Sequence, residues 1–124
     1  MATNRDPVLL VENHAETRAA VRRLLEFRGH LVVEASDGVE AWEYLERGGR
    51  ASAIVLDLDM PRMDGRLFRT KQLNDAQLAT IPVIVFTGLS GEGLIDGACV
   101  IRKTDPDALL DLVDHTATPA LVDK

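Results

Sequence analysis

Five stretches of the chain are apolar for four or more residues, or alternate towards that pattern, and each ends in polar residues. Val8, Leu9, Leu10 and Val11 form the first and lead into Glu12-Asn13. Residues 31–35 (Leu-Val-Val-Glu-Ala) form a shorter second, and 53–56 (Ala-Ile-Val-Leu) an unbroken third that stops at Asp57. Residues 81–86 form the fourth, with Pro82 at its start and Thr87-Gly88 after it; 98–102 form the fifth, ending in Lys103. Continuous apolar runs of this length fit strands buried on both faces of a parallel sheet, and a proline is tolerated where a strand begins.

Helical spacing fills the intervals. Over 14–28, Thr17, Val21, Leu24, Leu25 and Arg28 share one face, with Val21, Leu24 and Leu25 as its buried part and Gly29 as C-terminal cap. Asp37 with Glu40 three residues on is a capping box; the helix it opens runs through Val39, Trp42 and Leu45 to Gly48-Gly49. A third helix is expected over about 66–78. The stretch 90–96 is too rich in glycine for more than a turn or two of helix. Asp105 as N-cap and Pro106 at the first helical position open the last helix, with Leu109, Leu112 and Val113 on its apolar face. Beyond Thr116 a loose tail is expected, so the domain is placed at 1–117 and a flexible C-terminal segment at 118–124.

Five strands alternating with five helices predict an α/β fold, a parallel sheet with helices on both faces and the fourth helix shortened. Right-handed crossovers then carry Glu12-Asn13, Asp57, Thr87 and Lys103 to one edge of the sheet, where open α/β folds bind ligands. A carboxylate there costs desolvation unless a cation meets it. Asp57 could act as nucleophile towards phosphorus, forming an acyl phosphate. Glu12 and Asp57 repel unless a hard cation such as Mg²⁺ joins them, and that ion would also offset charge on an incoming phosphoryl group. Thr87 offers a hydroxyl, Lys103 a positive charge, and Gly88 room for entry.

The 124 residues fit one domain. Hydrophobic residues make up 46% and aromatics only 4%, so the core is aliphatic. A net charge of -6 argues against nucleic acid as a direct partner. The single cysteine, Cys99, cannot form an internal disulfide, which fits a reducing cytoplasm. Residues 1–7 contain no apolar signal core, and no run is long enough to span a bilayer.

Taken together, Val8-Leu9-Leu10-Val11-Glu12, Leu56-Asp57 with Met60-Pro61 and Met63-Asp64-Gly65, Pro82-Val83-Ile84-Val85-Phe86-Thr87, and Lys103 resemble the receiver domain of two-component response regulators. The resemblance covers about 7–116 and implies a flavodoxin-like five-stranded fold. It also implies phosphotransfer to Asp57 from a phosphohistidine of a sensor histidine kinase or phosphotransfer protein, with Mg²⁺ held by Glu12, Asn13, Asp57 and Asp59. Thr87 would turn towards the phosphoryl group and Lys103 would pair with it.

Four departures stand out. Asn13 replaces the usual second acid after strand one, and the Asp59 carboxylate is expected to restore charge. Val100 stands where the family has an aromatic switch residue. The segment between Thr87 and Lys103 is short, so phosphorylation-driven dimerisation through the usual output face is expected to be weak or lost. Thr104 follows Lys103 in place of a proline, so no cis peptide is expected.

Other residues read more plainly. His14, near the site, is taken as a solvated loop histidine, with a ligand or proton donor as the alternative; Cys99 is taken as a small core residue, and Trp42 with Leu45 as core packing. Arg18, Arg22 and Arg23 form either a kinase-docking face or a solvated face paired with Glu16 and Glu26. Two other functions compete with a phosphorylated receiver. One is a phosphorylation-independent interaction module, favoured by Asn13, Val100 and the short fourth helix. The other is a haloacid dehalogenase-like phosphatase built on Asp57-Leu58-Asp59; Pro61 stands where that family needs Thr or Val.

Overall fold

The structure is a computed structural model that describes residues 6–57, 65–88 and 98–117, with Arg66 described in its backbone only. The elements run β1 (Val8–Val11), α1 (Ala15–Phe27), β2 (Val32–Ala35), α2 (Gly38–Glu46), β3 (Ala53–Leu56), α3 (Gly65–Leu73), a 3-10 turn (Leu78–Thr80), β4 (Val83–Thr87), β5 (Cys99–Arg102) and α4 (Pro106–Thr116). All strand pairs are parallel, in the order β2-β1-β3-β4-β5. The expected helix over 90–96, the Met60-Pro61 and Met63-Asp64 turn, Asp59 and the tail 118–124 lie outside the described residues.

Strand alternation sends neighbouring residues to opposite faces. Leu9, Val11, Ile54, Leu56, Val83 and Val85 join Ala41 and Leu45 of α2 and Phe68 of α3. Val8, Leu10, Ala53, Val55, Ile84 and Phe86 join Val21 and Leu25 of α1 and Leu109, Leu110 and Val113 of α4. The sheet is therefore sandwiched, α2 and α3 on one side and α1 and α4 on the other. Trp42 packs at the margin of the first core, edge-on to Phe68 at 6.1 Å, with Lys71 Nζ 5.0 Å from the centre of its ring.

Local signals explain most element ends. Asp37 accepts from the Glu40 N–H at 2.9 Å, and the Glu40 carboxylate reaches back to the Ser36 N–H at 2.7 Å. Gly29 and Gly48 adopt φ of 92° and 90°. In each case the amides that follow turn back onto the last helical carbonyls: His30 N–H to Leu25 O at 3.1 Å, and Gly49 N–H to Tyr44 O at 2.9 Å. Asp105 caps α4 through the Ala108 N–H at 3.2 Å. Among the described residues no peptide bond is cis.

Several expectations need correction. α3 stops at Leu73 rather than 78, because Asp75 Oδ1 accepts from the N–H groups of Gln77 (3.0 Å) and Leu78 (3.2 Å) and offers the backbone a turn instead. The stretch after it is tied down by Gln72, which is wholly buried: its side-chain amide donates to Leu78 O at 2.7 Å and Ile81 O at 3.0 Å. Gln72 Oε1 accepts in turn from Arg69 at 2.7 Å.

Leu24 is not core but 39% exposed, since α1 buries only the narrow stripe of Val21 and Leu25. Leu110 joins Leu109 and Val113 as a buried residue of α4, and Leu112 packs against the same core while partly buried. Thr116, expected to begin a loose tail, is helical, and Ala117 is fully buried. Cys99 is exposed, because β5 is the outer strand of the sheet and shields its residues less than β1, β3 and β4 do.

Candidate functional site

β1 and β3 lie side by side in register, Val11 opposite Leu56, so the residues after them emerge level with one another. Those residues are Glu12 and Asp57, only 2% and 3% exposed. The Asp57 N–H donates to Val11 O at 3.0 Å and fixes the two strand ends relative to each other. Thr87, fully buried, ends β4 on the far side of β3. Lys103 follows β5, and its N–H donates to Thr87 O at 3.0 Å. The four positions expected to converge do so on the C-terminal edge of the sheet.

Two carboxylates taken out of water beside each other need compensation. Lys103 supplies part of it: its Nζ stands 2.7 Å from Glu12 Oε1 and 3.5 Å from Asp57 Oδ2. Both carboxylates thus share this one ammonium. Asn13, next to Glu12, has a buried Oδ1 that accepts no hydrogen bond. Buried carboxylate oxygens and an unsatisfied amide oxygen are donors of the kind Mg²⁺ takes, so these residues fit that ion. Asp59, the remaining expected ligand, lies outside the described residues.

Two neighbours join these residues. His14, read from the sequence as a solvated loop histidine near the site with a ligand or proton donor as the alternative, donates its N–H to Glu12 Oε2 at 3.1 Å and brings Nδ1 to 3.2 Å from the same oxygen. Its ring is exposed. Arg18 donates to the backbone oxygen of Glu12 at 2.8 Å and, through Nε, to Glu34 at 2.9 Å. Arg22 joins both Glu34 and Glu26. The basic face of α1 is thus tied to β2 through Glu34, with Glu26 as the local partner that helical spacing suggested.

Burial opposes ionisation of Glu34, but the hydrogen bonds from Arg18 and Arg22 outweigh it and hold its carboxyl below the ordinary range. In sequence, a glutamate inside an apolar strand was the one available sign of this network.

The chain matches the family model of the response regulator receiver domain over residues 8–106. It is a response regulator receiver. Members of this family are phospho-acceptors of two-component signalling and typically bind Mg²⁺ at an acidic cluster. The receiver is 33% identical over 114 residues to Response regulator Rre1 of Synechocystis sp., a match covering 86% of this chain and 49% of Rre1. It is 31% identical over 86 residues to Chemotaxis protein CheY1 of Helicobacter pylori, covering 68% of this chain and 69% of CheY1.

Among solved structures, chemotaxis protein CheY4 of Vibrio cholerae matches with a TM-score of 0.79 at 26% identity, over 93% of this chain and 99% of that one. A response regulator receiver protein from Pseudomonas putida matches with a TM-score of 0.78 at 26% identity, over 92% and 99%. The chain spans about half the length of Rre1, and its match covers 34% of Response regulator MprA of Mycobacterium leprae. No helix among the described residues is long and apolar enough to cross a membrane.

Proposed function

We propose that this receiver accepts a phosphoryl group on Asp57 from a phosphohistidine of a sensor kinase or phosphotransfer protein. The observation that carries the reading is the buried pair Glu12 and Asp57 bridged by the Lys103 ammonium at the C-terminal edge of the sheet. A carboxylate oxygen of Asp57 attacks phosphorus; the P–O bond forms as the P–N bond of the donor breaks, and the donor imidazole keeps the electron pair. Lys103, already within 3.5 Å of Asp57, balances charge gathering on the phosphoryl oxygens. Thr87 donates its hydroxyl to one of them. Glu12, Asn13 and Asp57 would hold Mg²⁺, which offsets phosphoryl charge when bound. Asp59 would add charge from the loop.

We take 1–117 as the receiver unit, a reading supported by α4 and Ala117, which share a core with α1 beyond the end of the family match. A cytoplasmic setting follows from a kinase partner.

A second reading keeps the fold and drops the switch. Asn13 removes one formal charge, and Val100, half-buried on β5, has no aromatic ring to move behind Thr87. Acetyl phosphate with Mg²⁺ separates the two readings. Intact-mass spectrometry should then show one added phosphoryl group, lost in Asp57→Asn. A chain that stays unmodified, with no NMR response to Mg²⁺ and beryllofluoride, would favour constitutive docking instead.

A further inference from the structure

The acidic edge holds a donor of a different chemical kind. Glu12, His14 and Asp57 each offer one ligand atom, and the three atoms lie within 4.8 Å of one another. His14 Nδ1 stands 3.2 Å from Glu12 Oε2. Adjacent donors on an ion with bonds of about 2.1 Å lie about 3.0 Å apart in an octahedron and about 3.4 Å apart in a tetrahedron. The observed separation falls between these values, so the pair can share a cation with little movement.

The two oxygens of Glu12 are already divided: Oε1 faces Lys103 and Oε2 faces His14. A cation on Oε2 therefore leaves the lysine pair in place. Asn13, the residue between Glu12 and His14, has a buried Oδ1 that accepts no hydrogen bond among the described residues.

We infer that His14 supplies a nitrogen ligand that tunes this site towards a divalent transition metal, with Zn²⁺ as its representative, in preference to Mg²⁺. The inference rests on the reading of this edge as a metal-assisted acceptor site, and it adds the ion's chemical class. Mg²⁺ prefers oxygen donors and gives up water reluctantly. Imidazole suits zinc, nickel and copper. The tautomer with its proton on Nε2 leaves the Nδ1 lone pair for the metal. The ring is 69% exposed, so it can adjust without disturbing the core.

The test uses the full chain, labelled with ¹⁵N and titrated separately with Zn²⁺ and Mg²⁺, as wild type, His14→Gln and Asp57→Asn. Wild type should bind Zn²⁺ more tightly than Mg²⁺, and the ring nitrogens of His14 should shift with Zn²⁺ alone. His14→Gln should weaken Zn²⁺ binding by roughly ten-fold or more beyond any change in Mg²⁺ binding. Asp57→Asn should weaken both.

Equal effects of His14→Gln on the two ions, or Zn²⁺ shifts confined to His30 and His115, would overturn the role of His14. The acceptor site itself would survive that result if Asp57→Asn still abolished Mg²⁺ binding. Binding of neither ion by the wild type would overturn both.

Discussion

Asn13 bears on the charge at the C-terminal edge of the sheet. Glu12 and Asp57 carry the negative charge there and Lys103 already offsets part of it, while Asn13 contributes an oxygen with no charge of its own. Asn13→Asp should therefore raise Mg²⁺ affinity on the order of ten-fold, equivalent to about 1.4 kcal/mol. A Mg²⁺ titration followed by NMR measures this, and an unchanged affinity would place Asn13 away from the ion. Glu12, Asp57, Thr87 and Lys103 were legible in the sequence because each stands where an apolar strand run stops. The place of His14 near the site was legible too, but its contact with Glu12 was not, since that depends on the path of one turn. Cys99 was misread for a related reason. A small apolar residue looks the same in an inner strand and an outer one, and only the order of the sheet tells them apart.

Elements began where their capping chemistry said they would, and their far ends were harder to place. Asp37 and Asp105 each accept an amide hydrogen bond three residues on, as their sequences indicated. Asp37→Ala should lower stability by about 1 kcal/mol, read as a shift in the urea midpoint without a change in slope; a shift close to zero would mean solvent serves the freed amide equally well. The end of α3 escaped the sequence because its apolar pattern is weak, while Asp75 competes for the backbone through its side chain. α1 shows the opposite limit: its apolar arc is wider than the stripe it buries, and Leu24 falls outside.

Tertiary ties join these elements through charge. Glu34 on β2 holds Arg18 and Arg22 of α1, and Asp114 on α4 holds Arg28 and His30 beyond the end of α1, with His30 Nε2 at 2.8 Å. Because Glu34 is more acidic folded than unfolded, it stabilises the fold above the unfolded value and loses that contribution as pH falls through the folded one. Stability should thus decline below about pH 4.5, and Glu34→Gln should flatten that limb in urea melts collected across pH; an unchanged slope would assign the acid loss to other carboxylates. The parallel order, the two-faced core and the meeting of four strand ends could all be anticipated, because periodicity and crossover handedness fix them. The charge ties could not, since they depend on distances between elements far apart in the chain.

One buried amide has a consequence for how the molecule meets proteases. Among the described residues Gln72 supplies the side-chain donors to Leu78 O and Ile81 O, so it ties the passage between α3 and β4. Gln72→Leu keeps the bulk but takes that donor from Ile81 O and leaves Leu78 O to the Ile81 N–H at 3.1 Å, a loss of about 1–3 kcal/mol. Thermolysin, which cuts ahead of large apolar residues, should then nick the chain before Leu78 or Ile81 under conditions where the wild type stays whole. On this account a single glutamine decides whether the passage is a structural link or a cleavage site.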